Sequence, residues 1–236
     1  MIFTQHSDRK PSPLGVIFDL DGTLVDNEAL HRTLFQEMAR SMGCRLTDDE
    51  YASKLSGLGD VEVMEYILSA ARRTRPAEEL AAIKLNRYLK HVENGQVRET
   101  PGATKYVHRL AAAGVRLAVA TNASRAEADV ALELLGLSRV FEACVTIEMV
   151  TRGKPSPDIH LRAARLIGLM PSECLVYEDS VHGVQAAVAA GMTVIGISRH
   201  EPWRLLGGGA GLVVPDFCDH DLQALQDPSL AEPCAD

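Results

Sequence analysis

Apolar residues fall along this chain in two rhythms. Short, nearly unbroken apolar runs rich in branched side chains occur at 15–20, 115–121, 174–177 and 193–197, with a weaker one at 212–214. Runs of this length and kind predict strands buried on both faces, as in a parallel sheet. Between them, 103–113, 125–135, 157–167 and 181–190 carry helical patterns, each followed by a glycine (Gly114, Gly136, Gly168, Gly191) where a helix terminus favours one. Strand and helix in alternation predict an α/β fold, a doubly wound parallel sheet of Rossmann-like form.

The alternation is interrupted once, over 27–100, which reads as helix. Leu30, Leu34, Met38 and Met42 recur every four residues, and Val61, Met64, Ile67, Leu68 and Ala71 do likewise, so each helix has one apolar face to bury. The stretch is too long for a loop. It predicts a small all-helical cap domain at 27–100, with the α/β core at 14–26 and 101–225 and flexible tails at 1–13 and 226–236. An insert leaving the C-terminal end of the first strand, where open α/β sheets bind ligands, would sit over the site as a lid.

Composition narrows the function. The 236 residues are 46% hydrophobic and 24% charged, an ordinary globular balance. No apolar run approaches the roughly 18 residues of a membrane span, and 1–13 lacks the apolar stretch of a secretory signal. A soluble, cytoplasmic protein is expected. The five cysteines stand singly, which suggests neither a zinc site nor a disulfide framework. A formal charge of -8 argues against nucleic-acid and anionic-membrane binding, so an anionic ligand needs local positive charge or a metal.

Candidate chemistry begins at Asp19-Leu20-Asp21-Gly22-Thr23, where a buried strand ends in two carboxylates. Alternation sends Asp19 and Asp21 the same way, and Gly22 permits a sharp exit. A bare pair of this kind is often two solvated turn residues. The string DxDGT behind an apolar strand is far rarer, arising by chance roughly once in a thousand such chains at ordinary residue frequencies. Two adjacent carboxylates at a buried rim are tolerable if a divalent cation binds one and a proton neutralises the other. That division suits phosphoryl transfer: ionised Asp19 binds Mg2+ and attacks phosphorus, while Asp21 serves as acid and then base.

These residues resemble the haloacid dehalogenase (HAD) superfamily, in its phosphatase and phosphomutase branch with a helical cap, over nearly the whole chain from about Leu14 to Pro215. The resemblance implies Asp19 as nucleophile and metal ligand, and Asp21 as acid/base residue whose backbone carbonyl also meets Mg2+. Dehalogenases and phosphonoacetaldehyde hydrolases lack the second aspartate, so Asp21 speaks against both chemistries. Thr121 and Asn122, which alone could be a helix cap, match the family's phosphoryl-binding motif. Lys154, in Gly153-Lys154-Pro155-Ser156-Pro157-Asp158, matches the lysine that offsets charge on nucleophile and phosphate. Glu178 and Asp179, which could merely charge-cap a helix, match its metal ligands: Asp179 directly, Glu178 directly or through water. Neither GxSxG nor a nucleotide-binding glycine motif offers a competing chemistry.

Specificity is expected from the cap, with candidates Asn27, Glu28 and His31 and the turn Ser56-Gly57-Leu58-Gly59-Asp60. In the similar β-phosphoglucomutases an arginine and a nearby lysine of this turn hold a second phosphate. Here Asp60 and Ser56 fall at those positions, so that anchor is missing. The expectation is a Mg2+-dependent phosphatase acting on small phosphorylated metabolites, sugar phosphates above all and phosphoglycolate not excluded, as a monomer or weak homodimer. The alternatives are a phosphosugar mutase and a noncatalytic phosphometabolite-binding module.

Overall fold

The computed structural model describes residues 15–218, and the tails expected at 1–13 and 226–236 lie outside the described residues. In chain order the elements are β1 (Gly15–Phe18), β2 (Val25–Asp26), α1 (Glu28–Ser41), α2 (Asp48–Lys54), α3 (Asp60–Ala70), α4 (Ala77–Glu93), β3 (Arg98–Glu99), α5 (Ala103–Ala112) and β4 (Arg116–Ala120). They continue with α6 (Arg125–Leu134), β5 (Ala143–Val145), α7 (Asp158–Leu166), β6 (Cys174–Glu178), α8 (Val181–Ala189), β7 (Thr193–Ile197), α9 (Pro202–Gly208) and β8 (Leu212–Val214). Six parallel strands form one sheet in the order β5-β4-β1-β6-β7-β8. From central β1 the chain builds outward through β4 and β5 to one edge and then through β6, β7 and β8 to the other. The winding therefore reverses beside β1, where such sheets hold their ligands.

Side-chain alternation sorts β1 between two apolar layers. Val16, Phe18 and Leu20 join the cluster that includes Tyr106, Val107 and Leu110 of α5 and Ala128, Ala131 and Leu132 of α6. Ile17 joins the opposite cluster, with Ile159 and Ala163 of α7, Val184 of α8 and Leu205 of α9. Phe18 is the hub of an aromatic group, stacked on Tyr177 at 5.1 Å between ring centres and edge-on to Tyr106 and Phe141. The hydroxyls of Tyr106 and Tyr177 share a buried hydrogen bond of 2.7 Å, which lets two polar atoms sit inside this core.

The insert between β1 and β4 folds as α1–α4 around its own cluster, including Phe35, Met38, Tyr51, Met64, Ile67 and Leu80. On α1 the buried face is His31, Leu34, Phe35, Met38 and Ala39, with Leu30 and Met42 only half-buried. A strict four-residue spacing drifts off the face of a 3.6-residue helix, which is why the two ends of the expected stripe leave the core. The outgoing and returning chains pair: Val25 opposes Glu99 and Asp26 opposes Arg98 in an antiparallel ribbon, and Thr100 N donates to Leu24 O at 2.9 Å.

The expected strands and core helices are present, with ends that differ by a few residues. Sequence periodicity did not reveal β5, which is three residues long, or α9, which starts at a proline and ends in glycines. Among the described residues no helix is long and apolar enough to cross a membrane.

Phe18→Ala should lower unfolding free energy by about 3–5 kcal/mol, because the ring's neighbours are fixed on several elements and collapse poorly into the void. Urea unfolding, read as a shifted midpoint at unchanged slope, checks this.

Candidate active site

Three strand ends and one loop meet above β1. Asp19 follows the strand directly, its N–H donating to Tyr177 O at 3.0 Å, so the backbone ladder continues into the site. Gly22 has φ +76 and a Cβ there would lie 1.9 Å from Asp179 Oδ2, so glycine alone allows this turn to pass beside the second acidic strand end. Thr23 Oγ1 donates to Asp179 Oδ1 at 3.2 Å. Glu178, fully buried, is held by Asp179 N, Ser180 N and Ser180 Oγ at 3.0, 3.2 and 3.1 Å. A Cβ on Gly183 would lie 1.9 Å from Glu178 Oε1, which explains the small residue on the helix behind.

Lys154 joins these groups. Its Nζ, on a loop with a cis peptide between Lys154 and Pro155, donates to Asp19 Oδ1 at 2.5 Å and to Glu178 Oε1. The backbone of that loop is set by Asn122, whose Oδ1 accepts from Lys154 N at 3.0 Å. Carboxylate oxygens of Asp19, Glu178 and Asp179 lie within 4.8 Å of one another. One lysine among three buried or half-buried carboxylates leaves negative charge over, and a hard, oxygen-ligated divalent cation fits the set.

The electrostatics fit the same need. Burial, followed by the charge of Glu178, pushes Asp19 up to about 8 against the pull of Lys154. Burial and then the charges of Glu28, Glu178 and Asp19 drive Asp179 well above the carboxylate range. Burial acts to raise Asp21 as well, yet the hydrogen bond and charge of His31 and the hydrogen bond from Asn27 carry it down to about 2. Without a cation, then, the protein groups raise Asp19 and lower Asp21. The reason is local: Asp21 has donors of its own, whereas Asp19 shares Lys154 with Glu178.

Those donors belong to a buried network that sequence reading largely missed. Asn27 Nδ2 donates to Asp21 Oδ1 at 2.5 Å and to Tyr88 OH at 2.8 Å, while Asn27 Oδ1 accepts from Gly22 N at 3.0 Å. His31, expected as a cap contact to substrate, is buried with Nε2 3.6 Å from Asp21 Oδ1. Lys84 Nζ lies 2.6 Å from His31 Nδ1 and Asn27 Nδ2 lies 3.1 Å from His31 Nε2; burial and the charge of Lys84 act to lower the imidazole pKa, and Asp21 and Glu127 outweigh them and raise it. Lys84 is itself wholly buried; it meets Asp60 Oδ1 at 2.9 Å and Glu127 Oε1 at 3.4 Å, and lies over the rings of Phe35 and Tyr88. Lys84 and Glu127 carry no local motif. Lys84 falls on the buried face of α4 with Leu80, Ala81 and Tyr88, and a lysine on an apolar helical face is the one signal that could have found it.

Thr121 ends its strand at the same edge, its Oγ1 accepting from Ala123 N at 3.0 Å and its hydroxyl hydrogen left to donate. Asn122, expected to touch phosphate, instead spends its amide hydrogens on Gly57 O at 2.8 Å and Lys154 O at 3.3 Å. It ties the insert's turn to the core. Gly57, at φ +81, lies against Ser180, whose Oγ would be 2.2 Å from a Cβ, and His182 Nδ1 meets Ser56 O at 2.8 Å. These contacts enclose a cavity of about 40 Å³ lined by Asp19, Asp21, Thr121, Lys154 and Asp179 from below and by Glu28, His31 and Asp60 from above.

Comparison with known proteins agrees with this geometry. Residues 16–197 match the haloacid dehalogenase-like hydrolase family. The chain is 36% identical over 190 residues to Protein CbbY of Rhodobacter capsulatus, covering 76% of this chain and 83% of that protein. It is 33% identical to hexitol phosphatase A of Escherichia coli, covering 78% and 82%. In structure it is similar to a HAD hydrolase of family IA, variant 3, from Entamoeba histolytica, with TM-score 0.79, 27% identity and coverage of 92% and 98%.

Lys84→Met should destabilise the protein by about 3 kcal/mol, because it strands the buried Glu127 without its cation and removes the partner of half-buried Asp60. Lys84→Met combined with Glu127→Gln should recover part of that loss; chemical denaturation of the four species of the cycle checks the coupling.

Proposed function

The chain belongs to the haloacid dehalogenase-like hydrolase family, and on that footing we propose that it is a magnesium-dependent phosphatase of small organic phosphate monoesters, working through an aspartyl phosphate on Asp19. The observation that carries this reading is the meeting of Asp19, Thr121, Lys154, Glu178 and Asp179 at one sheet edge, with Asp21 beside them. Each supplies a part that phosphoryl transfer requires.

Asp19, Glu178 and Asp179 would hold the metal through their side chains, with Asp21 contributing its backbone carbonyl by resemblance. Magnesium, when bound, offsets phosphoryl charge and orients the oxygens for in-line attack. Lys154 holds Asp19 in place at 2.5 Å and faces the charge that develops as the phosphoryl group passes over. Thr121 donates its hydroxyl to a phosphoryl oxygen. Once a cation holds Asp19 ionised, Asp21 would carry the proton and give it to the departing alcohol. Its anion, favoured by Asn27 and His31, then takes one from the water that splits the phosphorylated Asp19.

The helices α1–α4 act as the lid. A 40 Å³ cavity is far below the roughly 300–1,000 Å³ of sites that hold small molecules, so a substrate enters only when the insert lifts. The likeness to a hexitol phosphatase supports a phosphorylated sugar or polyol as substrate. Asp60 in the turn, engaged by Lys84, offers nothing to retain a second phosphate through reorientation, which favours hydrolysis over phosphate migration.

Phosphate release from sugar phosphates should require Mg2+, stop with a chelator and return when Mg2+ is restored. Asp19→Asn should abolish turnover with the fold intact by circular dichroism; full activity in that variant would rule out the covalent route. Asp21→Asn should lower kcat by about 100- to 10,000-fold, the usual contribution of a positioned acid/base group.

A further inference from the structure

One wall of the cavity takes no part in the chemistry proposed above. Glu28, the first residue of α1, lines the cavity and accepts from Ser56 Oγ at 2.8 Å, a bond that fixes the direction of its carboxylate. Among the described residues no lysine or arginine forms an ion pair with it. Asp60 lines the same cavity, and the nearby cation, Lys84, is already shared by Asp60 and Glu127. The side of the cavity that meets the leaving group therefore has carboxylate to offer and no unengaged positive charge.

We propose that Glu28 is a specificity-determining residue: its pinned carboxylate accepts hydroxyl groups of an uncharged, polyol-like leaving group and repels one that bears a carboxylate or a second phosphate. This rests on the phosphatase reading. A carboxylate is an acceptor only, so a hydroxyl satisfies it and an anion cannot. Beside a half-buried carboxylate the repulsion is only partly screened, and discrimination through a built-in unfavourable contact follows. Phosphoglycolate, open on sequence grounds, is disfavoured because its leaving group carries a carboxylate.

Two matched pairs of esters test this, each differing only by CH2OH against carboxylate: glycerol 3-phosphate with 3-phosphoglycerate, and glucitol 6-phosphate with 6-phosphogluconate. Phosphate release at saturating Mg2+ should favour the neutral member of at least one pair by roughly 30-fold or more in kcat/KM, the scale of a like-charge contact. Glu28→Gln, which removes the charge and keeps an acceptor, should cut that ratio about tenfold, chiefly through a lower KM for the anionic ester, with the Mg2+ half-saturation point unmoved. Glu28→Asp, which keeps the charge, should hold the preference, and thermal unfolding confirms that both variants are folded. A ratio near one in the unaltered protein, or one unchanged in Glu28→Gln, overturns the inference and leaves the phosphatase reading standing. Equal losses for both members with a shifted Mg2+ requirement also overturn it, since Glu28 would then serve the metal. No release from any of the four esters overturns both readings.

Discussion

Like charges crowded where water is scarce are the condition around which this molecule is built. Asp19, Glu178 and Asp179 stand within a few ångströms at the end of a buried sheet, and Lys154 alone among the groups in direct contact carries the opposite sign. Such a group is costly to hold together, and the fold meets the cost with direction: backbone amides turned onto Glu178, a hydroxyl from Thr23 onto Asp179, glycines wherever a Cβ would intrude. Rigidity here follows from electrostatics. Each carboxylate is held by donors that stay in place as charge moves through the site, which is what a reaction with several changes of charge requires.

The insert repeats this arrangement with the signs redistributed. Lys84 is a fully buried ammonium whose partners come from both sides of the cavity: Asp60 and His31 from the helices, Glu127 from the first turn of α6. A cation with partners on two bodies favours the arrangement that brings them together. The contact between the helices and the core therefore has an internal counter-charge, and His31 lies between Lys84 and Asp21.

How much of this could be read from the chain divides along a physical line. Strands and core helices were legible because their apolar periodicity is local, and Asp19 and Asp21 because two carboxylates end one buried strand; Thr121, Lys154, Glu178 and Asp179 were legible only through the family resemblance, since each taken alone could cap a helix or face solvent. Lys84 and Glu127 were not, because a buried charge is defined by its partners, here 43 residues apart and on separate helices. Asn122 was legible as a site residue but not in its work, since the same amide that could meet a phosphate is used to tie Gly57 to Lys154. The face of α1 was displaced because regular spacing in sequence is not regular angle on a helix.

The ribbon made by β2 and β3 has a wider consequence. Because the departing and returning chains are paired residue for residue, the sheet presents two adjacent ends to whatever lies between them, and it is indifferent to how long or what shape that intervening piece is. The same sheet accepts a different intervening segment without disturbing Asp19, Glu178 and Asp179, whose donors all come from the core, much as a lens mount accepts different lenses. Chemistry and choice of substrate are thereby free to diversify separately within a single chain.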